Sequence, residues 1–287
     1  MSRKTVVITG ASSEGARAAG VSAARAGARV VLISGHPQRG TAARDEVAKR
    51  GQSSEVTLLI ADLSLQSSVR ELGRQLLTEY PSIHALIHQG VHHQLRKQER
   101  EVTAEGFERF WAHNHLGPFL LTHLLKDALV QAHGRVITIG STRLKVYPRI
   151  TVYLDDPGME RRSYSATRAF YQSKLAQIQF AISLGRQWAG TGVVAKALSV
   201  PSIGADPTRR GGLPWFRRLA HDATGSRGMT TKKLGELYAV AALAPGVAKI
   251  PPVYLDDRLE EAWAPIATFD VKQQDALWAL SARSVGL

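Results

Sequence analysis

Apolar positions along this chain alternate between two patterns. Short, nearly unbroken runs of Val, Ile and Leu ("KTVVITG", "ARVVLIS", "EVTLLIAD", "IHALIHQ", "GRVITIGS", "GVVAKALSV") are separated by stretches with helical periodicity. Unbroken β-branched runs fit strands buried on both faces, and the stretches between them fit the covering helices. The predicted helices include "GARAAGVSAARAG", ended by Gly27, "TAARDEVAKRG", with Gly51 after its last turn, and one near 66–79. Six strands with helices between them predict an α/β fold, a doubly wound parallel sheet with right-handed crossovers in a single domain. Two irregular stretches, 142–163 and 201–229, each follow a strand on the edge where such sheets bind ligands.

Composition narrows the class only a little. The 287 residues are 44% hydrophobic and 21% charged, as in an ordinary globular chain with one sizeable core. No apolar run is long enough to span a membrane, and the first ten residues lead straight into a strand, so a cytoplasmic protein without a membrane partner is expected. Cysteine is absent, which excludes disulfides, thiolate metal sites and cysteine nucleophiles. The formal charge of +13 would suit a polyanion, but the Lys and Arg residues are scattered without a compact basic run. No nucleic-acid partner is therefore expected. Steering of an anionic small molecule is the functional reading of that charge.

The first strand runs into "GASSEGARAA", a glycine-containing turn that opens a helix. Gly10 permits the tight turn, and the helix N-terminus favours a phosphate. This predicts a Rossmann-type dinucleotide site using Gly10, Ser12, Ser13, Glu14, Gly15 and Arg17. Glu14 and Ala16 stand where glycine is expected, and Glu14 brings a carboxylate near the phosphates unless its side chain turns outward. At the end of the second strand stand Ser34, Gly35, His36 and Arg39, with no acid to hold ribose hydroxyls. Their basic character favours NADPH, with NADH left open. Asp62, after the third strand, either accepts a hydrogen bond from the adenine or caps the following helix.

The segments "TVVITGASS", "IADLS", "HNHLGPFLLTHLL", "GRVITIGS", "YQSKLAQ" and "LWALSARSVGL" together resemble the short-chain dehydrogenase/reductase superfamily, particularly its retinol dehydrogenase and protochlorophyllide reductase branch. The resemblance covers nearly the whole chain. It implies NAD(P)-dependent hydride transfer and a tetrad of Asn, Ser, Tyr and Lys. Asn114, Ser141 and Lys174 match three members; the tyrosine position holds Phe170. The resemblance adds Leu63, Gln89, Gly90, Lys174 and Ile203 to the cofactor contacts. It divides the domain into a mainly cofactor-binding half, 1–140, and a catalytic and substrate-binding half, 141–287; in the latter, "GGLPWFRRLAHDATGSRG" joins the apolar anchors Trp215 and Phe216 to glycine hinges and predicts a substrate lid near 201–229. The family's "NNAG" after the fourth strand is reduced to "HQG", and its proline-glycine turn after the sixth is Pro201-Ser202.

The residues themselves support part of this. Phe107, Phe110 and Trp111 form a helical apolar stripe that Asn114 continues, so its amide must find partners or lose ~1–3 kcal/mol. Ser141 closes a strand at the ligand edge, where its hydroxyl can hydrogen-bond a carbonyl or simply form a turn. Lys174 lies one helical turn after Phe170. Tyr171 is next door, but one residue turns a helical side chain by about 100°. Tyr147, Tyr153 and Tyr164 lie in or beside the long loop; Tyr147, Phe170, Ser141 and Trp215 are the expected substrate contacts. The histidines 88, 92 and 93 have no evident carboxylate or thiolate partner, so no metal is expected.

A ketone reduced without the tyrosine needs its proton from water, another side chain or the substrate. A phenol beside the carbonyl would supply it. The pattern resembles the atypical ketoreductases of actinomycete polyketide pathways. This implies an NAD(P)H-dependent ketoreductase for an aromatic, polycyclic (angucyclinone-like) ketone in antibiotic biosynthesis. The alternative is a non-redox protein that keeps the fold as a cyclase, scaffold or regulator. A homo-oligomer is left open.

Overall fold

In the computed structural model, the described residues are 3–95, 99–200, 229–251 and 254–287. Seven strands form one parallel sheet in the order β3-β2-β1-β4-β5-β6-β7. They are β1 (Thr5–Thr9), β2 (Arg29–Ser34), β3 (Val56–Ile60), β4 (Ala85–His88), β5 (Arg135–Ile139), β6 (Val194–Leu198) and β7 (Tyr254–Leu255). The order reverses between β1 and β4, whose register pairs Val7 with Leu86. That reversal opens a crevice beyond the carboxyl ends of the two strands. β1, β4 and β5 are buried at every position, as their unbroken apolar runs require.

One face of the sheet is covered by α1 (Glu14–Arg25), α2 (Pro37–Gly51) and α7 (Thr231–Leu243), the other by α3 (Gln66–Glu79), α4, α5 (Lys126–Gln131), α6 (Ala166–Gln187) and α8 (Val271–Val285). α4 is a composite run: one turn at Arg109–Trp111, a π-helical turn at Ala112–Leu116 and an α-helix at Gly117–Leu124. α1 consists of small residues because two helices press on it. A Cβ on Gly51 of α2 would lie 2.6 Å from Ala24 Cβ, and one on Gly235 of α7 would lie 2.4 Å from the Ala18 carbonyl oxygen. Gly51 is thus the last residue of α2 rather than its terminator. Gln52 takes the left-handed conformation (φ 53°) that ends the helix.

The predicted strands and helices form. β7 is an addition, two residues whose signal is too short to read as a strand. Phe107 falls before α4 begins, so the apolar stripe starts at Phe110. The predicted lid, with Ile203, Trp215 and Phe216, lies outside the described residues. Among the described residues no helix is long and apolar enough to cross a membrane.

Candidate active site

A cleft of about 320 Å³ lies at the β1/β4 switch point. Its floor is a backbone contact: a Cβ on Gly10 (φ +76°) would come within 2.4 Å of Gly90 Cα, so only glycine at position 10 lets the two loops meet. Ser12 and Ser13 form the wall where α1 begins. Ser13 caps that helix, accepting a hydrogen bond from Ala16 N at 3.2 Å. Beyond β2 stand Gly35, His36 and Arg39, and a Cβ on Gly35 would meet only the Ala61 carbonyl oxygen, at 3.6 Å. Asp62, His92, Arg109 and His113 complete the opposite side.

Several predicted contacts point elsewhere. Glu14 accepts a hydrogen bond from the Thr231 hydroxyl at the start of α7, so its carboxylate leaves the loop. Arg17 is spent locally, donating to the Ser12 carbonyl at 2.9 Å and pairing with Glu46 at 2.8 Å. Gln89 turns back toward Gly15, and its side-chain oxygen accepts from the buried Tyr238 hydroxyl at 2.7 Å. Leu63 is buried under Gly90 and Gly117, and Gly117 is required because a Cβ there would lie 2.1 Å from the Leu63 carbonyl oxygen. Asp62 does not cap α3, whose N-cap is Leu65; its Oδ1 instead accepts from Ser64 N and Ser64 Oγ at 2.9 and 2.7 Å. Burial pushes its carboxyl up, but the two Ser64 bonds, then Arg109 and His113, outweigh that and hold it below the usual range.

The residues that match the expected tetrad lie after β5 and on α4 and α6. Lys174 is buried, and its Nζ donates to Gln177 Oε1 at 2.6 Å. Burial lowers the ammonium to about 7. Asn114, in the π turn, is fully enclosed and satisfied. Its Oδ1 accepts from His92 N at 2.8 Å, and its Nδ2 donates to the His92 carbonyl at 3.2 Å and to Ser173 Oγ at 3.0 Å. The amide therefore pins the chain after β4 to α6. Ser141 accepts from Arg143 N at 3.2 Å, which leaves its own hydroxyl hydrogen free to donate, and its N–H bonds the Tyr254 hydroxyl at 2.9 Å. Tyr254, on the strand the sequence reading missed, thus fixes the backbone of Ser141.

Phe170 is buried in a ring cluster, with centroids 4.8 Å from His93, 6.0 Å from Phe110 and 5.1 Å from Tyr171. Tyr171 stacks on Tyr147 at 4.4 Å. Burial raises its phenol, and the Arg143 guanidinium beside it pulls the other way. Tyr153 and Tyr164 are committed to other contacts: the Tyr153 hydroxyl accepts from Arg168, and the Tyr164 hydroxyl donates to Glu108 at 3.0 Å. His88 is sealed below the sheet edge against Thr122, and burial lowers its imidazole to about 3. Among the described residues no group of three or more metal-ligating side chains occurs.

A family model described as short chain dehydrogenase matches residues 4–209. The chain belongs to that family. Human retinol dehydrogenase 13 is 29% identical over 99% of this chain and 85% of its own length, and mouse retinol dehydrogenase 14 is 31% identical over 100% and 87%. A candidate daunorubicin C-13 ketoreductase of Streptomyces sp. strain C5 is 37% identical over 64% of this chain and 61% of its own. Among solved structures, an uncharacterised Mycobacterium paratuberculosis protein superposes with TM-score 0.74 at 25% identity, covering 99% of this chain and 94% of that one. An actinorhodin polyketide ketoreductase with NADPH gives TM-score 0.66 at 17% identity, covering 93% and 98%, and shows the shared fold.

As a member of this short-chain dehydrogenase family, the protein is an NAD(P)H-dependent oxidoreductase. The cleft's residues fit a dinucleotide: glycine backbone, two serines at a helix start, and no carboxylate beyond β2 to meet a phosphate. Gly10, Ser12, Ser13, Gly35, His36, Arg39, Asp62 and Gly90 line it. The sequence reading missed Arg109 and His113. Their signal lay in the helical stripe itself, one turn apart on the flank of Phe110 and Asn114. Burial, followed by neighbouring His92, lowers His113 to about 4, so it faces the cleft neutral.

Proposed function

We propose that the protein is an atypical ketoreductase that reduces a carbonyl of a phenolic, polycyclic ketone of the aromatic polyketide, angucyclinone-like class, with NADPH as the expected cofactor. The observation that carries this reading is Phe170, buried one turn before the equally buried Lys174, with Ser141 and Asn114 retained. The Streptomyces relative, named for a daunorubicin C-13 ketoreductase, supports it.

Bound NAD(P)H supplies a hydride to the carbonyl carbon. The chain's own residues bind and orient. The free hydroxyl hydrogen of Ser141 can donate to the carbonyl oxygen as negative charge develops there. Lys174, easily deprotonated in its buried setting, adds positive charge when protonated. Phe170 offers a dry aromatic face and no proton. The alkoxide then takes its proton from a neighbouring substrate phenol or from water, and the phenolate regains one from solvent. A phenol hydrogen-bonded to the carbonyl also polarises it before reaction. The non-redox alternative rested partly on Glu14, and that carboxylate is held by Thr231.

Purified protein mixed with NADPH and a polycyclic ketone bearing an adjacent hydroxyl should oxidise the cofactor. The O-methylated analogue, which has no proton to give, should react at least tenfold more slowly. Phe170→Tyr should fold and change the rate little. A large gain from that substitution would mean the native proton route is poor, and equal rates for phenol and methyl ether would remove the substrate as donor.

A further inference from the structure

The aromatic contacts continue past the reacting end in one direction. His92, on the cleft wall, meets Phe110 at 5.0 Å; from there rings pass through Phe170 and Tyr171 to Tyr147. Tyr147 is partly exposed and opens onto a groove of about 270 Å³ lined by Tyr147, Pro148, Arg149, Ile150 and Arg168. Phe110, Phe170 and Tyr171 are buried against one another, so of these rings it is Tyr147 that faces the groove and can stack on a flat ring system.

The groove end carries uncompensated charge. The stretch "TRLKVYPR", 142–149, holds Arg143, Lys145 and Arg149 without an acid, and Arg168 stands on the facing helix. Among the described residues none of these four forms an ion pair with a carboxylate. The acids of the same loop are already taken: Asp155 pairs with Arg162 at 2.9 Å and Asp156 with Arg162 at 3.2 Å. Arg168 is held in place by neutral contacts, its guanidinium donating to the Tyr153 hydroxyl and lying 5.6 Å from that ring. Two guanidiniums that line one groove with Tyr147, neither paired with a carboxylate among the described residues, suit a carboxylate.

We propose that this groove binds an anionic substituent, of the carboxylate type, on an aromatic ligand that stacks on Tyr147, with Arg149 and Arg168 as its principal partners. That this aromatic ligand is also the ketone rests on the ketoreductase reading. The anion site itself does not need turnover to be seen.

The test compares a dihydroxyanthraquinone carboxylic acid with its methyl ester, which removes the charge and adds one methyl group at that substituent. Binding of each is measured by calorimetry at low and high salt with the cofactor-loaded protein. The acid should bind about tenfold more tightly than the ester at low salt, and the gap should shrink at high salt. Arg149→Gln should reduce the gap, and Arg149→Gln/Arg168→Gln should close it. Arg149 is exposed and its side chain makes no hydrogen bond among the described residues, so the single variant tests the site even where loss of Arg168 disturbs Tyr153. Equal affinities in the native protein, no binding of either compound, or a preference that survives both substitutions would overturn the proposal. NADPH oxidation is followed separately: carboxylate preference without oxidation of NADPH by any hydroxy-ketone would keep the anion site and remove the ketoreductase.

Discussion

A lysine amine withdrawn from water is harder to charge, and Lys174 is withdrawn by the helix that carries it and by the sheet beneath. Burial brings its ammonium down from 10.5 to about 7. Between those values the unfolded chain holds a proton that the folded chain has lost. Folding stability contributed by this residue therefore rises with pH across about 7 to 10.5, and below 7 it is constant and at its lowest. Lys174→Met should be more stable than the native protein at pH 6, with the difference narrowing by several kcal/mol as pH rises to about 10. Thermal melts of both proteins across that range, without cofactor, read it directly; a constant difference would mean that the amine reaches water. The sequence placed Lys174 on the same helix face as Phe170, because one turn is a matter of counting. It did not show that the amine is sealed, since burial depends on what packs there. The same limit explains Glu14, Arg17 and Gln89. Each stands at a position expected to meet the cofactor, but side-chain direction at a sheet edge is set by neighbours distant in the chain, such as Thr231, Glu46 and Tyr238.

At the scale of elements, periodicity carried nearly everything. Strands buried on both faces have only one way to read, and α3 falls at 66–79 as its pattern requires. Failures occur where an element is too short or its geometry is irregular. β7 has two residues, below any useful window. α4 begins two residues after Phe107 and passes through a π turn, which a regular 3.6 count does not describe. Glycines mislead in a related way. Gly51 looks like a terminator, but its role is contact: it lets α2 touch α1. Gly235 does the same on the other flank, where the missing Cβ would press on the Ala18 carbonyl. Backbone cannot yield as a flexible side chain does, so Gly235→Ala should destabilise by about 1–3 kcal/mol, against the small gain in helix propensity. Because α1 also begins at the cofactor cleft, a shift there should weaken cofactor binding as well. Melting temperature and cofactor titration of the variant test both effects, and an unchanged melting temperature would show that α7 stands farther from α1.

Over the whole molecule the charge is +13, and the sites discussed all lie in its field. Among the described residues the ion pairs are mostly exposed, where each contributes little to stability. The field acts more on approach. Dinucleotide and any carboxylate-bearing substrate are anions, and a net positive surface raises their encounter rate while screening removes the benefit beyond about 8–10 Å at physiological salt. The basic residues near the two mouths, Arg39 and Arg109 at the cleft and Arg149 and Arg168 at the groove, add local attraction to this general pull. Stopped-flow binding of NADPH should therefore show an association rate that falls roughly tenfold between low and high salt, with a smaller change in dissociation. If the salt effect appeared wholly in dissociation, the affinity would come from close ion contacts inside the cleft and the surface charge would have no part in delivery. A difference between the two outcomes separates Arg39 from the remainder of the surface. Arg39→Gln should reduce NADPH affinity through dissociation and leave the salt slope of association nearly intact, because one charge among many makes the contact while the sum of them makes the field.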